Sequence, residues 1–265
     1  MSRRGKIQMN LSLIGKRALV CGSTDGIGKE TAFLLAKRGA SIILAARNQE
    51  KIDSVMNHLP GSGHGFICAD FDHPNDLKEK TGHVFRRTGP IHILVNNSGG
   101  PKSGALIKAK REEFESGFKR HVLASQLLVQ AVVPGMIELK YGRIINIISM
   151  SVKQVIPGLG VSNTVRGAVA QWGKTLALEL GKYGITVNNI LPGYTQTDRL
   201  KELLESLAEK NGISYNEMVE VTAKKVSLRR IGQPEETASA IAFLASEASA
   251  YITGTDFPVD GARFG

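Results

Sequence analysis

The segment Gly22-Ser23-Thr24-Asp25-Gly26-Ile27-Gly28 carries the most direct chemical implication in the chain. Three glycines spaced G-x-x-x-G-x-G, between an apolar run and an amphipathic stretch, let backbone N–H groups approach a phosphate closely. The positive end of the following helix adds favourable charge. A tight strand-to-helix turn would need the same glycines, so the position inside a β-α-β unit is what gives the segment its meaning. The next apolar run ends Leu44-Ala45-Ala46-Arg47-Asn48, with a basic residue where an acidic one would accept both hydroxyls of an unmodified ribose. Arg47, with Ser23 and Thr24 as hydroxyl donors, favours a 2′-phosphate and so NADP over NAD; a solvated capping arginine is the other reading. Asp70, closing a third run, is placed either to accept from an adenine amino group or to serve its own turn.

These residues need a frame, and the apolar patterning supplies one. Residues 17–21, 41–45, 65–69, 91–95, 143–149 and 185–191 read as strands that are apolar on both faces. Between them, Ile27, Thr31, Leu34 and Leu35, and later Val165, Val169, Trp172, Leu176 and Leu180, recur on single helical faces. Buried strands joined by helical crossovers predict a parallel sheet covered on both sides, an α/β doubly wound, Rossmann-type architecture. Residues 199–226 interrupt the rhythm with leucines at helical spacing and a Gly212 break, and read as an inserted helical flap. Its leucines suit either an apolar substrate tail or packing of the flap itself. A last helix opens at Gln233-Pro234 and a last strand covers 255–259; with no linker, repeat or low-complexity tract, residues 1–265 form one domain.

Composition narrows the function classes. With 42% apolar and 22% charged residues over 265, the chain is of ordinary globular type, which excludes disorder. The excess of basic over acidic residues, 34 − 24 = +10, is dispersed apart from Ser2-Arg3-Arg4-Gly5-Lys6, so no nucleic-acid partner is expected. No run of 18 apolar residues and no secretory leader are present, and a cytoplasmic location without a membrane partner is the expectation. Cys21 and Cys68 are too few for a disulfide framework or a metal site and read as free thiols.

Several further motifs follow the same order along the chain: Asn96-Asn97-Ser98-Gly99, Asn146-Ile147-Ile148-Ser149, Pro192-Gly193-Tyr194-Thr195-Gln196-Thr197, Ile252-Thr253-Gly254 and Val259-Asp260-Gly261. With the glycine turn, they make the chain resemble the short-chain dehydrogenase/reductase family over almost its whole length, most nearly its 3-oxoacyl-carrier-protein reductase-like members. The resemblance implies hydride transfer between a nicotinamide and a carbonyl. It assigns Asn97, Gly99, Pro192, Gly193, Thr195 and Thr197 to the cofactor, with Gly22, Gly26, Ile27 and Gly28.

The family's proton-handling group is Asn-Ser-Tyr-Lys, and this chain departs from it. Ser149 matches the serine, but the positions matching Tyr-x-x-x-Lys are Ser162 and Arg166, and the asparagine position reads as His121. A phenol has a pKa of about 10, which a nearby lysine can lower, whereas an aliphatic alcohol is a far weaker acid. Arg166 can still hold a ribose but does not titrate as a relay. Three candidate replacements for the missing acid are His121, with an ordinary pKa of about 6.5, Lys153 beside Gln154 in the loop after Ser149, and Tyr194; a structural histidine and an exposed loop lysine are the other readings of the first two.

The leading expectation is thus an NADP-dependent oxidoreductase acting on a carbonyl or secondary alcohol. The alternatives are an NADP-binding sensor or partner subunit without turnover, and a lyase-type step on the same scaffold. The resemblance also implies a homotetramer built through the long helices around residues 112–139 and 162–182 and the C-terminal strand.

Overall fold

In the computed structural model, residues 9–263 are described; the basic cluster at 2–6 lies outside them. Chain order is β1 (Arg17–Cys21), α1 (Gly26–Lys37), β2 (Ser41–Ala46), α2 (Gln49–Met56), β3 (Gly65–Cys68), α3 (Pro74–Thr88), β4 (Ile93–Asn96), α4 (Arg111–Phe118), α5 (Ala124–Leu139), β5 (Gly142–Ile147), α6 (Gly160–Leu180), β6 (Ile185–Pro192), α7 (Asp198–Asn211), α8 (Tyr215–Lys224), α9 (Pro234–Ala245) and β7 (Asp256–Val259). The strands form one parallel sheet in the order β3-β2-β1-β4-β5-β6-β7. This is the doubly wound, Rossmann-type topology. From β1 the chain builds outward to β3, then returns to lay β4 on the other side of β1. That reversal opens a crevice beyond the carboxyl ends of β1 and β4, where ligands bind in open α/β sheets.

Alternation along each strand explains why both faces are covered. Ala18, Val20, Ile42 and Leu44 face α1 and α9, meeting Ala32, Leu35, Ile241 and Leu244. Leu19, Cys21, Ile43 and Ala45 point the other way, onto Leu77 of α3, Leu128 and Val132 of α5, and Leu176 and Leu180 of α6. Burial pushes the Cys21 thiol up to about 12, so it is an inert core group.

Two departures from regular helix matter for the site. Between α4 and α5, residues Lys119–Leu123 form a π-helical turn, giving one continuous segment, Arg111–Leu139. By length and composition that segment is long and apolar enough to cross a membrane, yet α5 packs Leu128, Val129, Val132 and Met136 into the sheet. The expected flap region holds the helix pair α7 and α8, separated at Gly212 (φ +64°), with α8 capped at Ser214, whose Oγ accepts from Glu217 N while Glu217 Oε2 accepts from Ser214 N. Leu200, Leu204, Ala208, Met218 and Ile231 bury one another there, so those leucines hold the flap down.

Candidate active site

The glycine turn leaves β1 with Gly22 at φ +56° and enters α1 with Gly26 at φ +49°, both in the left-handed region. Gly22 N donates to Ala45 O at 2.8 Å, and Asn97 Nδ2 donates to Gly22 O at 3.4 Å, which ties the turn to both neighbouring strands. Asp25 is the N-cap of α1, but its side chain makes no cap bond, and the first turn carries no acidic residue. The amides that open α1 are therefore left without a side-chain acceptor. In the same turn, the hydroxyl of Ser23 is fully buried and has no partner among the described residues.

The opposite wall is the loop after β6. A Cβ on Gly26 would lie 2.8 Å from the methyl of Thr197, so the two loops touch. Thr197 Oγ1 accepts from Leu200 N to cap α7 and donates to Thr195 O, while buried Thr195 donates to Gly193 O at 3.4 Å. Pro192 ends β6, and Gly193 packs so closely on Asp260 that a Cβ would fall 2.7 Å from its Cα. Arg47 stands exposed at the end of β2, with no partner for its guanidinium among the described residues. Asp70 Oδ1 accepts from Asp72 N at 3.0 Å, the turn-serving role, which leaves its second oxygen without a protein partner among those residues.

Beyond β5, Ser149 caps the short turn Met150–Val152, its Oγ accepting from Ser151 N at 3.0 Å. Ser162 lies buried in the first turn of α6. One turn further, Arg166 Nη1 donates to Ile147 O (2.8 Å) and Ile148 O (3.0 Å), clamping the end of β5, while its Nε is buried without a partner. Burial, together with the charge of Arg199, pulls the guanidinium down to about 10, which leaves it ionised at neutral pH. Arg199 Nη2 donates to Pro101 O at 2.7 Å, and Arg166 Nη2 lies 3.6 Å from where a Cβ on Gly100 would stand.

His121 sits in the π turn, 5% exposed, with Nδ1 2.8 Å from Ser98 Oγ. Its Nε2 and Asn96 Oδ1 are both buried and unpartnered among the described residues, and both residues line a cavity of about 10 Å³ shared with Ser98, Ser125 and Asn146. Burial first, then the charges of Arg166 and Arg120, hold the imidazole well below its usual range, so it is neutral at neutral pH. The unfolded chain then binds a proton that the folded chain refuses, and stability falls as pH drops below about 6.5. Each unit of lowering contributes about 1.4 kcal/mol of that loss once pH is below both values. His121→Asn is expected to flatten this part of the acid slope in urea melts between pH 5 and 7.5; an unchanged slope would show that the ring is not the group responsible.

Each of the other two candidate acids has a charged neighbour. Lys153 Nζ lies 3.6 Å from Asp256, a carboxylate it shares with Lys174 (2.6 Å). Tyr194 packs against the flap leucines, with the Arg263 guanidinium 3.9 Å from its ring centroid.

One feature of the site escaped the sequence reading. Asn96 Nδ2 donates to Asn146 Oδ1, Asn146 Nδ2 to Asn189 Oδ1, and Asn189 Nδ2 to Asp256 Oδ1, each at 2.9 Å. These residues are register partners on β4, β5, β6 and β7, so a buried polar line runs from the central strand β4 to the edge strand β7. Its signal in the sequence was the amides in three largely apolar runs: Asn96, Asn146, and the pair Asn188-Asn189.

A family model described as enoyl-(acyl carrier protein) reductase matches residues 22–262. The chain is 33% identical over 256 residues to the 3-oxoacyl-[acyl-carrier-protein] reductase of Vibrio cholerae serotype O1, covering 96% of this chain and 99% of that protein. It is 32% identical over 252 residues to gluconate 5-dehydrogenase of Gluconobacter oxydans, covering 94% and 95%. Among solved structures, L-sorbose reductase from Gluconobacter frateurii, complexed with NADPH and L-sorbose, superposes with a TM-score of 0.90 at 30% identity, covering 97% of this chain and 99% of that one. A single-residue variant of actinorhodin polyketide ketoreductase with NADPH gives 0.87 at 29% identity, covering 94% and 97%. With a family model matched over residues 22–262 and curated relatives 32–33% identical over almost its whole length, this chain is a member of the short-chain dehydrogenase/reductase family.

Proposed function

We propose that the protein is an NADP-dependent oxidoreductase acting on a carbonyl or secondary alcohol, with an atypical route for the proton. The observation that carries this reading is the cradle at the start of α1: helix amides without a side-chain cap, no acidic first turn, and a buried, unpartnered Ser23 hydroxyl in the turn before them. A phosphate fits that set of donors, and Arg47 on the same rim suits a further phosphate on the ribose. The NADPH-bound reductases among the similar structures support the same cofactor.

In this reading the bound nucleotide supplies the hydride. Gly22, Thr24, Ile27 and Gly28 frame the phosphate site, Asp70 takes the adenine side, and Asn97, Gly99, Pro192, Gly193, Thr195, Thr197 and Arg166 flank the nicotinamide half. Ser149 donates to the substrate oxygen and stabilises the charge that develops there. With Lys153 held by Asp256 and Tyr194 under Arg263, the proton route assigned here runs through His121 and the Ser98 hydroxyl hydrogen-bonded to it. A neutral imidazole gives a proton from one nitrogen as it takes one at the other. The long helices leave Phe118, Leu123 and Leu178 exposed, which supports self-association into a homotetramer.

The test is NADPH consumption with a panel of 3-oxoacyl thioesters, ketoses and simple ketones. Turnover above the substrate-free blank is expected. Nucleotide binding without turnover across the panel would instead establish the second reading, a binding protein of the same fold, which is favoured by the anchoring of Arg166 to the Ile147 and Ile148 carbonyls.

A further inference from the structure

Lys51 lies in the first turn of α2, the helix that Asn48 caps directly after Arg47, with Asn48 Oδ1 accepting from Lys51 N. Its ammonium reaches across to the glycine turn, where Nζ lies 2.8 Å from Asp25 Oδ2, both side chains being half-exposed. Asp25 occupies the N-cap position of α1 and would ordinarily bond the first free amides. Its carboxylate faces Lys51 instead. The hydrogen bond and charge of Asp25, with a smaller contribution from Asp198 at the start of α7, raise the Lys51 pKa, so the group is a full cation at neutral pH. The ammonium thus stands where the starts of α1, α2 and α7 converge, on the rim that also carries the unpartnered guanidinium of Arg47.

In a dinucleotide fold, the ribose hydroxyls of the adenosine half face the gap between the glycine turn and the end of the second strand. The Asp25–Lys51 pair spans that gap. Exposed ion pairs are weak and exchange partners readily. A phosphate dianion accepts stronger charge-assisted bonds than a carboxylate monoanion, whereas a ribose hydroxyl does not displace the carboxylate from the ammonium.

We propose that Asp25 and Lys51 form a selector for the 2′-phosphate: Lys51 leaves Asp25 to pair with the phosphate, and Asp25 without Lys51 favours an unphosphorylated ribose. This rests on the nucleotide reading above. Removing Lys51 then does two things at once, deleting a cation and exposing a carboxylate that repels phosphate and accepts from ribose hydroxyls.

Calorimetric titration of NADPH and NADH into wild type, Lys51→Met, Asp25→Asn and the double variant tests it, with thermal melts to confirm folding. Lys51→Met is expected to weaken NADPH by about tenfold or more while NADH holds or tightens. Asp25→Asn is expected to tighten NADPH, and the NADPH loss in the double variant is expected to be smaller than in Lys51→Met. Equal losses for both nucleotides in Lys51→Met, no loss for either, or strictly additive effects of the two substitutions would each overturn the selector. Wild type that binds neither nucleotide would overturn the nucleotide reading itself, a result distinct from those three.

Discussion

Gly28→Ala is expected to remove nucleotide binding and to lower stability by roughly 2–3 kcal/mol. A Cβ at this position would fall 2.1 Å from Gly22 O and 2.8 Å from Asn97 Nδ2. Neither neighbour is free to yield. Gly22 is held in its left-handed conformation by the bond from its own N–H to Ala45, and Asn97 bonds the same carbonyl that the methyl would strike. Relief therefore requires α1 to lift off the sheet, where Ala32 and Leu35 pack against Ile241 and Leu244 of α9. That shift also carries the first amides of α1 away from the turn. Gly167→Ala is the control, since that helical glycine has open space around its Cβ direction; alanine there is expected to be neutral or to stabilise by about 0.5–1 kcal/mol. Thermal melts and NADPH titrations of both variants decide the matter, and a Gly28→Ala protein that binds as wild type does would contradict the account of the cradle.

Ser149→Ala is expected to lower kcat by about 10²–10³-fold while leaving NADPH affinity close to wild type. The residue stands at the end of β5 beside the Arg166 clamp, the place from which a hydroxyl can polarise a carbonyl in the reading proposed above. Because Ser149 Oγ also accepts from Ser151 N, the substitution carries a stability loss of about 1 kcal/mol that must be measured separately by melts. Ser162→Ala supplies the contrast: that hydroxyl is too weak an acid to serve as a proton donor, and its loss is expected to change kcat by less than about threefold. A Ser149→Ala enzyme retaining most of its turnover would remove the serine from the chemistry.

The strands were legible because each is a short apolar run bounded by polar or glycine residues, and the covered faces of a parallel sheet demand that pattern. Their boundaries moved by a residue or two, as where residues 91–95 became Ile93–Asn96. The glycine turn was legible for the same reason, since few backbones need glycine at three such positions. Partnerships between distant residues were not. Lys153 is claimed by Asp256 and Tyr194 by Arg263, contacts that depend on how β7 and the last described residues lie against the sheet. The π turn that places His121 behind Ser98 adds a residue without any glycine or proline to announce it. Arg166 and His121 lie at the end of β5, Ser149 follows it, and Ser162 is buried one turn before Arg166. Ser149 was readable from its place after a strand, the others only through likeness to a family whose residues they replace.

The amide line across the sheet has a direction. Each of its three side chains turns its nitrogen toward β7 and its oxygen toward β4 or the cavity at Asn96, and Asn189 adds a donation to Ala170 O. Rotating any one of them by half a turn sets nitrogen against nitrogen and oxygen against oxygen. The three therefore behave like compass needles in a row, reversing together or staying put, with the ionised Asp256 as the fixed pole because it can only accept. Over three strand spacings, about 14 Å, the pole at the edge strand β7 sets the orientation of an amide on the central strand β4.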